Sequence, residues 1–223
     1  MSQLGAHAEA APRPALPELA NVPWRERQSP RQLKRWGRLW TLWIAVITVQ
    51  FVVGGAALLI IAPISAPVAL ACFAHAWIIP ELYAFRGASV VRPKGTPSDG
   101  EPAAQGLLAD LLGHEPRDLR RETGLALEPG GLGIWLVGEA GALLVNAGGR
   151  RVHCFCVRAT DPELPPSDRI AHLLLALRSD EIGFATVANH AYSGATWRIR
   201  RRLPKPMRPA LDAARQAAKQ LEQ

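Results

Sequence analysis

One stretch of the chain, residues 39–80, contains no Asp, Glu, Lys or Arg and is dominated by apolar side chains. A helix rises about 1.5 Å per residue, so about 20 apolar residues cross a hydrocarbon core of about 30 Å. The stretch is long enough for two such crossings. Proline can end one helix and begin another, and Pro63 and Pro67 interrupt the stretch near its middle. We therefore predict a transmembrane helical hairpin with spans over 39–62 and 66–85.

Two other kinds of segment could account for such a pattern. A cleaved signal peptide fits poorly, because the apolar run begins at Leu39 and leads directly into a second apolar segment. A helical pair buried in a soluble core would leave Trp36, Trp40 and Trp43 clustered at one end beside a basic run. A membrane interface is the environment that favours tryptophan beside basic residues, so the pattern favours the hairpin.

Basic residues flank the two spans on the same side. The loop between the spans has no charge, while basic residues occur before the first span and after the second: Arg25, Arg27, Arg31, Lys34, Arg35 and Arg38, then Arg86, Arg92 and Lys94. Basic flanks remain in the cytoplasm, so both termini are predicted to be cytoplasmic and the protein to reside in the cell (inner) membrane. The reducing cytosol would then keep Cys154 and Cys156 as thiols.

Two polar residues, Gln50 and His75, lie within the predicted spans. Antiparallel helices place them within about one turn of the same depth. An ionisable residue inside a membrane is a candidate for proton or ion handling. The alternative is a neutral His75 that hydrogen-bonds Gln50 or Thr48 and holds the hairpin together. We favour this structural role, because two spans alone cannot enclose a pathway shielded from lipid.

Composition divides the rest of the chain. Residues 1–23 are rich in Ala and Pro and are predicted to be disordered, and 24–38 form a basic juxtamembrane segment. Residues 86–104 contain a turn-rich stretch and are predicted to be a linker. Residues 105–204 are predicted to form a small cytoplasmic domain, and 205–223 a basic, Ala-rich tail.

The predicted domain belongs to the α+β class, with a mostly antiparallel sheet and flanking helices. Its strand candidates are 132–137, 142–145 and 150–158, followed by 183–188 and 196–203, the last two joined by a loop that contains Ser193 and Gly194. The first three are joined by short glycine-containing turns, which force neighbouring strands to run antiparallel and predict a meander.

Helical patterns surround these strands. Four leucines at helical spacing open the domain, and Pro116 suits the first turn of a second helix. Ser167 can cap a helix through Arg178, with a core-facing side formed by Ile170, Leu173, Leu174 and Leu177. In the tail, Leu211, Ala214, Ala218 and Leu221 share a thin apolar face, a weak candidate for a partner or oligomer contact.

The motif His153-Cys154-Phe155-Cys156 is the first place to seek chemistry. Side chains alternate along a strand, so Cys154 and Cys156 share one face and His153 points to the other. Two thiols could supply half a zinc site, but the chain has only three cysteines and the remaining histidines lack ligand spacing. A nucleophilic cysteine needs a neighbouring base, which the sequence alone does not provide. We therefore favour a core role and predict no metal and no cofactor.

The net charge of +7 comes from the two ends of the chain. Residues 195–223 carry eight basic and two acidic residues, which does not resemble a uniformly basic nucleic-acid-binding domain. Near an anionic membrane such residues gain about 1 kcal/mol each, so lipid contact is preferred over nucleic acid. The predicted lipid contacts are Arg31, Lys34, Arg35, Arg38, Arg198, Arg200, Arg201, Arg202 and Lys205.

No motif in the sequence names a reaction. The leading hypothesis is an integral membrane protein that anchors a small cytoplasmic α+β module in a regulatory, scaffolding or ligand-binding role. One alternative is a membrane-tethered enzyme that uses a Cys or a His/acid site. Another is a small subunit of a larger membrane complex, with a protein partner or further copies of the chain.

Overall fold

The fold belongs to the α+β class, as predicted. A computed structural model describes residues 26–94, 99–157 and 163–222, so the tail over 1–23 lies outside the described residues. Within those ranges the chain forms eight α-helices and one five-stranded antiparallel sheet. Two of the helices are long and apolar enough to cross a membrane, judged by length and composition.

The two long helices form the hairpin, defined here as α1 (Pro30–Ile61), the 3₁₀ turn Pro63–Ser65, and α2 (Ala66–Ser89). The interruption falls at the predicted prolines. The first helix begins earlier than the predicted span, because Ser29 caps it: the Ser29 hydroxyl accepts a hydrogen bond from the Gln32 amide. The basic segment before the apolar run is therefore helical from its Pro30 onward.

The sheet is a simple meander in which each strand pairs with the next along the chain. Its central three strands confirm the predicted ones, and one further strand extends the sheet at each edge. The strands are β1 (Ala126–Pro129), β2 (Ile134–Gly138), β3 (Gly141–Val145), β4 (Arg151–Cys156) and β5 (Asn189–Ala195).

Six shorter helices pack around the sheet. The first three confirm predicted helices, although Pro165 rather than Ser167 holds the capping position of the third. The helices are α3 (Glu101–Leu111), α4 (His114–Thr123), α5 (Pro166–Ser179), α6 (Glu181–Val187), α7 (Thr196–Arg202) and α8 (Arg208–Gln220). Together with β1–β5 they form what we call the sheet domain.

Two predicted strands are wrong, since 183–188 lies mostly in α6 and 196–203 lies mostly in α7. The Asp180 carboxylate caps α6 by accepting from the Gly183 amide. In α7 the alternation of apolar and basic residues suggested a strand, but Ile199 and Leu203 are the buried pair, and they are four residues apart. The real edge strand is β5, in the region predicted to be a loop.

Both faces of the sheet are covered, so the domain has two core layers. Helices α3 and α5 cover one face, while α8 and the end of α2 cover the other. The apolar side of α8 packs into the core on its face of the sheet. Of the four residues on that side, Leu211, Ala214 and Ala218 are fully buried, and only Leu221 is exposed. The tail face predicted to be a partner contact is therefore part of the domain's own core.

Candidate functional site

The surface of the hairpin beyond the sheet domain is apolar and uncovered. Ile61 and Ile64, at the far end, are 81% and 94% exposed. Soluble monomers rarely expose contiguous apolar patches of more than a few hundred Å². Large apolar side chains are exposed along both helices, including Leu42, Val46, Val49, Val53, Val68, Leu70, Ile78 and Leu82.

The base of the hairpin is built into the sheet domain. Gly87 of α2 lies so close to β4 and β5 that an added Cβ would be 2.8 Å from a Tyr192 ring carbon and 3.0 Å from the Cys154 Sγ. On the other helix, the ring of Trp40 makes edge contacts with the rings of Tyr83 and Tyr192, at centroid distances of 5.4 and 5.6 Å. The first residues of the predicted 86–104 linker are therefore core residues rather than a tether.

A salt bridge also joins the hairpin to α7. Arg202 donates from Nε and Nη2 to Glu81, which is the first charged residue along α2. The Glu81 side chain is only 11% exposed. Arg200, two residues earlier, donates from Nε and Nη2 to the Asp212 carboxylate of α8, and this bond holds the pKa of Asp212 below its usual value. These two arginines are engaged within the protein.

Other predicted lipid contacts point outward at the base of the hairpin. The Arg201 guanidinium lies 5.8 Å from the ring centroid of Trp77, and Arg198 lies 5.0 Å from that of Trp197. Both tryptophans are more than half exposed. We call the two arginines and two tryptophans the aromatic belt. Among the described residues, the other predicted contacts are also exposed: Arg31, Lys34, Arg35, Arg38 and Lys205.

Gln50 and His75 do not bond to each other. His75 Nδ1 lies 2.7 Å from the Ala71 carbonyl oxygen of its own helix, and the His75 ring stacks on Phe51 at a centroid distance of 5.5 Å. Gln50 is exposed and has no hydrogen-bond partner among the residues that the structure describes. The predicted bond from His75 to Gln50 or Thr48 is therefore replaced by a bond within α2 and a ring contact.

A pair of histidines lies on the sheet face opposite Cys154, with His153 fully buried and His190 half-buried. His153 of β4 and His190 of β5 are 5.5 Å apart between ring centroids, and Phe155 stacks on His190. Burial, followed by the nearby His190 and Arg151, lowers the pKa of His153 to about 3, and burial lowers that of His190 to about 4. Both rings are therefore neutral near pH 7.

Several polar atoms around this pair lack partners. Within the described ranges, neither nitrogen of His153 makes a hydrogen bond, nor does Nε2 of His190 or Oγ of Ser193, the residue paired with His153 across the strands. The sequence did not place His190 and Ser193 beside His153, because it predicted a loop where β5 lies. The order His190-Ala191-Tyr192-Ser193 lacks the alternation of a regular strand, because a register shift interrupts the pairing of β4 with β5 between Cys154 and Phe155.

The cysteine motif does not assemble a catalytic pair. Cys154 is fully buried, and burial raises the pKa of its thiol. His153 points to the opposite face of β4, so it cannot serve Cys154 as a base. Cys156 is half-buried at the end of the strand. In the described part of the chain, no three His, Cys, Asp or Glu side chains are grouped so as to hold a metal ion.

Comparison with protein-family models, curated proteins and solved structures finds no match. Three features of this chain bear on its function. These are the uncovered apolar hairpin, the aromatic belt at its base, and the histidine pair.

Proposed function

We propose that this chain is an integral membrane protein whose hairpin crosses the bilayer twice and holds the α+β domain against the cytoplasmic surface. The exposed apolar surface of the hairpin carries the proposal. Leaving such surface in water costs about 25 cal/mol per Å², a cost that lipid removes. The domain would act there in a regulatory, scaffolding or ligand-binding role.

The dimensions of the hairpin suit a bilayer. Its base lies where Trp40 contacts Tyr83. From the next residue, Thr41, to Ile61 the first helix rises about 30 Å. From Ala66 to Pro80, the residue before the charged Glu81, the second helix rises about 21 Å. With the turn between them, these lengths match a hydrocarbon core of about 30 Å.

The charges support one orientation. The turn between the helices has no charge, whereas basic residues cluster at the base. Basic residues remain on the cytoplasmic side, so the base, the sheet domain and both termini would be cytoplasmic. In this orientation Trp77 would lie near the cytoplasmic end of the second span, with Trp197 on the adjoining domain, close to the interface where tryptophan is favoured.

Membrane integration is tested by Val53→Lys, made in the full-length chain. Val53 is 60% exposed, so a lysine there is nearly neutral if the hairpin faces water. In a bilayer, lysine near a span centre costs about 3 kcal/mol. We expect the parent chain to remain with membranes after an alkaline carbonate wash and Val53→Lys to lower the integrated fraction. Arg38→Lys is the matched control.

Two results would contradict this proposal. A parent chain released by the carbonate wash without detergent would overturn membrane integration. A C-terminal alkaline phosphatase fusion, which is active only outside the cytoplasm, should be inactive. An active fusion would overturn the orientation alone.

The second prediction concerns the aromatic belt in nanodiscs. We expect anionic lipid to raise the melting temperature of the parent above its value in zwitterionic lipid. Arg198→Gln together with Arg201→Gln should remove part of this increment, because each basic residue at an anionic surface gains about 1 kcal/mol. Arg200→Gln is the control, since Arg200 bonds Asp212 instead. An equal loss of the increment in the control would contradict the assignment.

A further inference from the structure

We propose that the hairpin binds a second copy of this chain in the membrane plane, through hydrogen bonds from Gln50 of each copy to His75 of the other. This inference rests on the proposed membrane location. It assigns a partner to the two polar groups that the hairpin exposes at the middle of its length.

The two groups are chemically complementary. The Ala71 carbonyl can only accept, so His75 Nδ1, 2.7 Å away, carries the proton. In the neutral imidazole the other nitrogen, Nε2, is then an acceptor. The side-chain amide of Gln50 offers two N–H donors and has no partner among the described residues. Water could satisfy both groups, but hydrocarbon cannot, and an unsatisfied polar group there is costly.

Both groups lie at one depth. The ring of Phe51, the residue next to Gln50, stacks on His75. Helix rise agrees with this contact, since Gln50 lies about 16 Å from the end of α1 at Ile61 and His75 about 14 Å from the start of α2 at Ala66. In a hydrocarbon core of about 30 Å both groups are near the midplane.

They also border one face of the hairpin. An open groove of about 500 Å³ runs between the helices on the side that carries Gln50. On α2, His75 lies on the same helical stripe as two of the groove residues, Ile79 and Leu82. On α1, Gly54 lies one turn beyond Gln50, and no atom is within 4 Å of the position of an added Cβ. The groove is lined by Ile47, Gln50, Phe51, Ile79, Leu82, Tyr83 and Arg86.

Two-fold symmetry then brings donors and acceptors together. A two-fold axis along the membrane normal leaves the depth of every residue unchanged and places α1 of one copy opposite α2 of the other. Gln50 therefore faces His75 of the partner subunit, and the same pair forms a second time. The open side of Gly54 allows the close backbone approach that helix association in membranes requires.

The test measures dimerisation of the full-length protein in lipid bilayers, by single-molecule photobleaching at increasing protein density. Each single variant removes both hydrogen bonds of the symmetric dimer. The measured contribution of such bonds between membrane helices predicts that Gln50→Leu and His75→Leu each weaken dimerisation about eight- to three-hundredfold. The double variant should be no weaker than either single variant, because both remove the same two bonds. Gly54→Leu should also weaken dimerisation. The matched control is Ala45→Leu, an exposed small residue on a different side of α1.

Exchanging the two residues gives the strictest test. Gln50→His combined with His75→Gln should restore part of the dimerisation lost in the single variants. A parent chain that is monomeric at all densities, or single variants that dimerise like the parent, would overturn the pairing. Carbonate-resistant integration in the same samples would show that the membrane assignment still stands. A carbonate-soluble parent would overturn both.

Discussion

Gly87→Leu is expected to destabilise the protein by about 3 kcal/mol, the upper end of the usual cost of overpacking a core. The reason is the absence of space at the base of the hairpin: an added Cβ would be 2.8 Å from Tyr192 and 3.0 Å from Cys154. Both neighbours are almost completely buried, so neither can move into solvent. The change is measured as the free energy of unfolding in detergent micelles, followed by tryptophan fluorescence.

Gly106→Leu is the matched control for this prediction. Gly106 also lies within a helix, α3, but no atom is within 4 Å of the position of its added Cβ. Leucine has the higher helix propensity, so the control should be as stable as the parent or more so. If Gly87→Leu were equally well tolerated, the sheet domain would not be packed directly against α2, and a flexible linker would have to be reconsidered.

The hairpin was predictable because its signal is long and local. A charge-free run interrupted by two prolines predicts two apolar helices, and this prediction does not depend on how the rest of the chain folds. Their attachment to the sheet was not predictable in this way. It depends on Gly37 and Gly87, whose small size matters only because Arg151, Tyr192 and Cys154 approach them in the folded protein. The sequence alone does not show which distant residue contacts a given glycine.

The short helices show how a local pattern can mislead. The alternation of Trp197, Arg198, Ile199 and Arg200 fits a strand as well as a helix, and in a segment of seven residues periodicity alone cannot separate them. The error affected the lipid contacts as well. In a strand, every second arginine would point to the same face of the sheet. In the helix, Arg200 instead points towards Asp212, and Arg201 lies beside Trp77.

Glycine chemistry was the most reliable guide to the turns. Gly148 and Gly149 have φ values of 82° and 67°, the left-handed region that glycine adopts at little cost. They form the turn between β3 and β4, where the sequence predicted one. The histidine pair was different, because it forms only when β4 pairs with β5, and those strands are separated by two helices.

The histidine pair gives the second large prediction, a loss of stability on acidification from pH 6.5 to pH 4. In the unfolded chain a histidine takes up a proton near pH 6.5. In the folded protein the pKa is about 3 for His153 and about 4 for His190. Between these values the unfolded state binds more protons, so stability falls as the pH falls and is constant above this range. Each histidine should contribute on the order of 3 kcal/mol by pH 4.

His153→Leu isolates this effect, measured as the free energy of unfolding by denaturant from pH 4 to pH 7. At pH 7 the variant should be about as stable as the parent, because it removes two buried nitrogens that make no hydrogen bond in the described structure. At pH 4 it should be more stable, by on the order of 3 kcal/mol. The lowered pKa values of Glu101 and Asp212 leave a residual acid dependence in both proteins.

Ser193→Ala is the control for the histidine experiment, because it removes a buried polar atom beside His153 without removing a titratable group. It should leave the slope of stability against pH unchanged. If instead His153→Leu destabilised the protein strongly at pH 7 and kept the parent's slope, the imidazole would be making hydrogen bonds in the folded state. An internal water or ion bridging His153, His190 and Ser193 would then be the physical explanation, because buried polar atoms in such a cluster are otherwise costly.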